Sequence, residues 1–396
     1  MANSLKLLRE HFNDFLMKHM FLILFAAYLA GNVYVFVRIW KAFFSTASVL
    51  QYAVLQCAAF KTLFAVVFWF AALSLFIAMF ARNLPLPQGF FALCYNLGSI
   101  WLVFTLYMVM ILLPLDLLRV VKRDVVLITL AAVVLLLLGG YINYRNPRVE
   151  KVEIGCNGGG AAQGSDCLKI VAISDVHLGY STGKRMLQRY VKLINSQKPD
   201  VVLIAGDLID NDVAPVEAAR MWEELGQIEA PGGIYMVPGN HEYISGIGEV
   251  EKFLEKTPIT LLRDSVAVLP GGVLLAGRDD RSNHHRKSIE ELLCAVDTLL
   301  PDSHSAHVIL LEHQPYDIAT KSTMGFDLQI YGHTHRGQVW PMSLLVDRMY
   351  EQSHGYRQWG TSHVIVTEGL SLWGPPFRIG TSSNLYVVTL SSCTNT

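Results

Sequence analysis

The chain opens with long uninterrupted apolar stretches and then changes to short apolar runs alternating with amphipathic ones. A bilayer core of about 30 Å is crossed by about 20 apolar residues in a helix. Met20–Val37 carries no charge, Thr62–Ala81 is nearly all apolar, and Val125–Tyr144 contains the run Val133 to Leu138. Asn83–Leu115 is also uncharged; Pro85 and Pro87 make a turn there, which leaves 90–113 as the spanning part. Four spans are expected. Ala42–Phe60 is uncharged but holds Ser45, Thr46, Ser48, Gln51 and Gln56, and reads as an extension of the second helix or as an interfacial segment.

Beyond a basic stretch from Arg145 to Lys151 the apolar period shortens. Leu168–Ser174, Val201–Ala205, Ile234–Val237, Val273–Ala276, Val308–Leu311, Leu328–Tyr331, Val364–Thr367 and Leu385–Leu390 read as strands. Lys184–Ser196, Val216–Gln227, Glu249–Lys256 and Ser288–Leu299 place apolar residues at helical spacing. The expected division is a transmembrane helical domain over 1–150 and an α/β domain over 151–396.

Charge sharpens that division. Residues 1–150 hold 12 Lys and Arg against five Asp and Glu, so the remainder carries −8 to give the whole-chain −1. An acidic α/β domain is a poor partner for nucleic acid, whose binding is dominated by phosphate neutralisation, so no nucleic-acid surface is expected. The spans hold no internal acid or His, and a channel or transporter reading is weak. Seven basic residues flank the spans on the side of the termini and five on the other. That small excess tilts toward a cytoplasmic α/β domain and leaves the side open. A multi-pass protein of a cell membrane is expected. The six cysteines fit no zinc pattern; Cys156 and Cys167 flank Gly158 to Gly160 and could close a small loop in an oxidising compartment.

Candidate chemistry gathers at the strand ends. Five strands run in turn into Asp175-Val176-His177, Gly206-Asp207-Leu208-Ile209-Asp210, Gly239-Asn240-His241-Glu242, Glu312-His313 and Gly332-His333-Thr334-His335. Carboxylate, amide and imidazole are the ligand types of borderline divalent ions. Gly206, Gly239 and Gly332 are expected to let the backbone turn so that the next side chain faces a shared point. The polar loop from Arg278 to Lys287 could contact a phosphate or head group, or be a solvated loop. Arg378, after Trp373-Gly374-Pro375-Pro376-Phe377, reads equally as the rim of a substrate cleft or as part of a structural turn.

These five blocks resemble the signature of the calcineurin-like metallophosphoesterases, and the spans ahead of them are similar to a membrane-anchored branch of that family. Gly337-Gln338 and the Trp373–Arg378 segment resemble that branch too. The resemblance implies a four-layer fold, two β-sheets packed together with helices outside. Carried over position by position, it implies that Asp175, His177 and His335 hold one metal and that Asn240, His313 and His333 hold a second, with Asp207 bridging. It further implies that His241 stands over the leaving group and that Asp210 orients its ring.

The chemistry is consistent with that assignment. Two divalent ions, which this ligand set admits as Mn, Fe or Zn, can stabilise both attacking and leaving oxygens of a phosphoester. Metal coordination lowers the pKa of water, so the nucleophile would be a metal-bound hydroxide. A cationic His241 is suited to protonate the leaving alkoxide. The expected function is hydrolysis of a phosphomonoester or phosphodiester at a bilayer, with lipid-linked substrates open and protein partners undefined. The alternative is a non-catalytic scaffold that keeps the fold as a protein-binding surface.

Overall fold

The structure is a computed structural model that describes residues 2–44, 57–80, 84, 86–155, 167–299 and 307–391. It divides into two compact units, 1–138 and 139–396.

Among the described residues four helices are long and apolar enough to cross a membrane: Leu22–Phe44 (the C-terminal part of a helix that starts at Ala2), Ala58–Phe80, Gln88–Leu117 and Arg123–Tyr144, the last of which runs on into the second unit. The protein is a multi-pass membrane protein. Part of the 42–60 segment extends its neighbouring helices, to Phe44 and from Ala58; the rest lies outside the described residues. Small and polar groups tie the helices together, as expected where lipid supplies no hydrophobic contrast. A side chain at Gly98 would meet the Leu75 backbone at 2.2 Å, so two helices approach closely there. The buried Asn32 amide oxygen accepts from Trp101 Nε1 at 2.8 Å and Thr105 Oγ1 at 3.2 Å, and Arg38 pairs with Asp116.

The second unit is built on two six-stranded sheets. The strands are β1 (Arg148–Ile154), β2 (Cys167–Ile173), β3 (Val201–Ala205), β4 (Ile234–Val237), β5 (Ile259–Leu261), β6 (Ser265–Val268), β7 (Leu274–Gly277), β8 (Val308–Leu311), β9 (Leu328–Tyr331), β10 (Gly355–Trp359), β11 (Ser362–Val366) and β12 (Asn384–Ser391). One sheet runs β1-β12-β2-β3-β4-β5 and the other β10-β11-β9-β8-β7-β6. Alternate residues face opposite layers. Ile170, Leu203 and Val237 pack against Leu275, Ile309 and Ile330 between the sheets. Val171, Ile173 and Ile204 pack outward on Met186, Tyr190 and Ile194 of the helix Lys184–Ser196. Leu274, Leu310 and Val364 do the same against Ile289, Leu292 and Val296 of the helix Ile289–Leu299. This is the expected four-layer α/β fold. Each such Leu, Ile or Val, fully buried, contributes about 1.5–3 kcal/mol.

Several local expectations change. The helix expected over 216–227 is two short helices, Ala214–Ala218 and Trp222–Leu225, broken where Arg220 takes φ 52°. The basic stretch after the spans runs into β1, a strand outside the expected set, parallel to β12 from Arg148↔Asn384 to Ile154↔Leu390. Cys156, and with it the Cys156–Cys167 pairing, lies outside the described residues.

Strand direction places the site. β2, β3 and β4 are parallel neighbours in one sheet, and β8 and β9 in the other. Parallel strands deliver their C-terminal ends to one edge, where ligands of open α/β sheets bind.

Candidate metal centre

All seven ligand candidates come together at that edge. Asp175, His177 and His335 offer ligand atoms within 4.8 Å of one another, as do Asp207, His313 and His333, and as do His177, Asp207 and His241. Asn240 completes the second group: its Oδ1 lies 3.0 Å from His333 Nδ1 and 3.2 Å from His313 Nε2. Asp207 Oδ2 sits between the groups, 3.7 Å from His177 Nε2 and 3.2 Å from His313 Nε2.

Backbone conformation aims these side chains. Asp175, His177, Asp207, His333 and His335 all have φ between 46° and 72°. Left-handed conformations of non-glycine residues are uncommon and cost about 1–3 kcal/mol each, and they gather where function requires them. The glycines act in two ways. Gly206 has φ 80°, as expected of a turn. Gly239 and Gly332 do not have positive φ; they are needed for space. A Cβ at Gly239 would fall 2.2 Å from Asp207 Oδ1.

The donor chemistry fits divalent cations. His313 Nδ1 lies 2.7 Å from the Ala205 carbonyl and donates to it, which turns Nε2 toward Asp207, Asn240 and His333; burial opposes the charged ring, yet Asp207 outweighs it and raises its pKa, as suits a site that places positive charge beside that carboxylate. His177 Nε2 and His335 Nε2 likewise face each other at 3.1 Å. Electron-rich atoms crowded this way are reconciled by a cation between them. Burial and then His313 push the His333 imidazole down to about 4, and burial holds His335 well below its usual range, so both offer neutral rings. Burial alone would raise the Asp175 carboxyl, but His335 and His177 hold it well below the usual carboxylate range.

His241 stands at the seam of the two groups, its ring centroid 4.6 Å from that of His177. Its Nδ1 lies 2.6 Å from the Asp210 carbonyl oxygen, and Asp210 Oδ1 is 3.3 Å from Nδ1 of both His241 and His177. Burial opposes the imidazolium of His241, yet Asp210 and Asp207 outweigh it and raise its pKa. Trp373, half exposed, has its ring centroid 6.4 Å from that of His241, and Tyr350 lies 6.3 Å from His333.

The surroundings contain residues that the sequence motifs left without a role. Glu242, fully buried, accepts the backbone N–H groups of Asp207 (2.9 Å), Ile209 (3.0 Å) and Gly239 (2.7 Å). Its signal was its place three residues after Gly239, where an acidic residue caps a helix start. Glu312, next to His313, pairs with Lys321, Arg278 (3.2 Å) and Arg286 (2.9 Å). The 278–287 loop is thus folded into an ionic network rather than simply solvated; Arg281 lies over the Tyr316 ring. Arg378 does not line a cleft rim. It is buried and donates to the carbonyls of His335, Glu368, Gly369 and Ser371. Burial lowers its guanidinium to about 10. His354 sits beside Asp347, and His363 against Tyr356.

Residues 168–337 match the model of the calcineurin-like phosphoesterases. An "Uncharacterized metallophosphoesterase YkuE" of Bacillus subtilis is 30% identical over 264 residues, covering 64% of this chain and 90% of the relative. The chain belongs to the calcineurin-like metallophosphoesterase family. Among other members, an uncharacterized metallophosphoesterase of Helicobacter pylori J99 is 35% identical over 53% of this chain and 56% of its own length. A "Transmembrane protein with metallophosphoesterase domain" of Danio rerio is 32% identical over 68% of this chain and 63% of its own. The match therefore spans only about three fifths of these two relatives. Their names share with this chain the family domain and, in the second, the membrane setting.

Proposed function

We propose that this metallophosphoesterase hydrolyses a phosphomonoester or phosphodiester at a bilayer, and that Asp175, His177 and His335 hold one divalent ion while Asn240, His313 and His333 hold another, with Asp207 shared. The convergence of two ligand groups on the single carboxylate of Asp207 carries this reading. Divalent ions bound there would supply Lewis-acid activation of water and neutralise charge on the phosphate.

The chain's own groups do the rest. His241 donates Nδ1–H to the Asp210 carbonyl, so Nε2 is the atom left to protonate a leaving alkoxide. Asp210 Oδ1, near both His241 and His177, favours the charged imidazole and holds both rings in orientation. Trp373 beside His241 and Tyr350 beside His333 bound the place where a substrate phosphate would sit. The four apolar helices support a substrate presented at the membrane, including lipid-linked phosphoesters.

Purified full-length protein loaded with Mn²⁺, Fe²⁺ or Zn²⁺ is to be offered bis(p-nitrophenyl) phosphate and p-nitrophenyl phosphate, beside Asp207→Asn and His241→Ala. Hydrolysis that both substitutions abolish supports the assignment, and hydrolysis indifferent to either sinks it. Failure to retain any divalent ion would favour the scaffold reading.

A further inference from the structure

The second unit exposes an apolar face between the end of the last spanning helix and the mouth of the metal centre. Trp340 is 47% exposed, Leu344 55%, Leu345 57% and Met349 69%. In the helix Met342–Met349, residues 344, 345, 348 and 349 share one side by i, i+4 spacing. That side is turned outward, while Ser343 is buried and Val346 half-buried. An amphipathic helix ordinarily buries its apolar stripe; here the stripe faces out, with Arg348 set among the apolar groups.

Its two ends are anchored to the last spanning helix and to the metal centre. At one end Trp340 N–H donates to the Ile379 carbonyl at 2.7 Å, and Ile379 packs on Gly140, where an added Cβ would lie 2.6 Å from the Ile379 side chain. Arg378 N–H donates to the Gly140 carbonyl at 3.0 Å, and Asn143 Nδ2 donates to the carbonyls of Arg378 and Thr381. Gly140 lies four residues before the end of the helix Arg123–Tyr144. At 1.5 Å per residue that is about 6 Å of depth, within the interfacial layer of about 5–7 Å on each side of the hydrocarbon. Tyr141, which is exposed, followed by Arg145 and Arg148, supplies the aromatic and basic residues that mark such a boundary, whereas Tyr144 turns into the α/β core. At the other end of the face, Tyr350 packs beside His333 of the metal centre.

We propose that Trp340, Leu344, Leu345 and Met349 insert into the interfacial layer of the bilayer that the chain's own helices cross, with Arg348 at the level of the lipid phosphates. This face then holds the mouth of the metal centre at headgroup depth, so that the site takes the phosphoesters of lipids in that bilayer. The substrate half of this inference rests on the hydrolase reading above; the insertion half does not. Geometry of this kind, a strip of apolar side chains with a cation among them, is that of helices lying in a membrane interface.

The test uses the full chain in nanodiscs of phosphatidylcholine and phosphatidylglycerol. Leu345→Cys and, as a control on a remote helix, Glu249→Cys are each labelled with an environment-sensitive fluorophore and challenged with spin-labelled lipids. Cys57, Cys94, Cys156, Cys167, Cys294 and Cys393 are replaced beforehand. Quenching at residue 345 and not at 249 is expected. A label at 345 that stays unquenched overturns the insertion, whether the face proves open to water or covered by a second copy. A Leu344→Asp, Leu345→Asp, Met349→Asp variant, with metal content checked as a folding control, is expected to hydrolyse bis(p-nitrophenyl) phosphate as the parent does. Its turnover of fluorescent phosphatidic acid or phosphatidylglycerol in the same nanodiscs should fall about tenfold or more. Equal turnover of bilayer phosphoesters by variant and parent overturns the substrate half. Absence of all hydrolysis by the parent overturns the hydrolase reading and leaves the quenching result standing.

Discussion

Glu242 accepts the backbone N–H of Asp207 at 2.9 Å across 35 residues of chain. A carboxylate that binds no metal in the proposed scheme thereby fixes the backbone of the residue shared by both ligand groups. Its other bonds, from Gly239 and Ile209, fix the turn that carries Asn240 and the segment that leads to Asp210. Burial and the Asp207 charge push the Glu242 carboxyl up to about 7, while the backbone N–H groups oppose that rise.

Replacing Glu242 by Ala leaves three buried N–H groups unpaired, each worth about 1–3 kcal/mol. We expect a fall in thermal midpoint together with loss of bound divalent metal. Glu242→Gln should be milder in stability, since the amide oxygen still accepts, yet still reduce metal content. Metal analysis after reconstitution, beside a thermal melt, separates the two effects.

A second expectation concerns metal linkage. A ligand that binds only the folded state stabilises it by about 4 kcal/mol at a thousand times its dissociation constant. Added Mn²⁺ or Zn²⁺ should therefore raise the melting midpoint of the parent, and a chelator should reverse the rise. Asp207→Asn, which weakens both ligand groups at once, should lose most of that response. An undiminished response in Asp207→Asn would contradict the shared role of this carboxylate.

Glu312 is buried against Lys321, Arg278 and Arg286. Neutralising it leaves three cations in contact without their counter-charge. Breaking a buried ion pair from one side costs about 3–5 kcal/mol, so Glu312→Gln should destabilise strongly. Lys321→Met should cost less, because the carboxylate keeps two arginines and the methionine can pack on the Tyr331 ring that the lysine covers. Chemical denaturation of the two variants in the same detergent gives the order directly.

Arg378 shows why part of this site was hidden in the sequence. The candidate ligands at the strand ends were legible because each follows a short apolar run and begins a turn; the chemistry of Asp, Asn and His at five such ends points to one shared edge. An arginine after Trp-Gly-Pro-Pro-Phe carries no comparable signal. Arginine is almost never fully buried without partners, and its partners here are main-chain carbonyls, which any residue supplies. The same reason hid β1: Arg148–Ile154 was outside the expected strands because four of its seven residues are charged and its pairing with β12 is made by backbone. The helix break at Arg220 depends on a left-handed conformation that its side chain does not favour. The motifs pointed to the candidate ligands that meet at one edge; they carried no signal for the layer that aims them.

For Arg378 that layer is testable. It holds the His335 carbonyl and those of Glu368, Gly369 and Ser371, a loop in which Ser371 N–H donates to the Asp175 carbonyl at 3.0 Å. Arg378→Met should remove the guanidinium from these carbonyls, of which Gly369 keeps the Asn384 N–H, and loosen Asp175 and His335 together, both in the first candidate ligand group. We expect metal content to fall toward one ion per chain before the fold is lost. Arg378→Lys, with one cationic head in place of a fork, should restore stability better than metal content. Equal loss of metal from both ligand groups, with His313 and His333 affected as much as Asp175 and His335, would show that Arg378 supports the fold as a whole and not this side of the site.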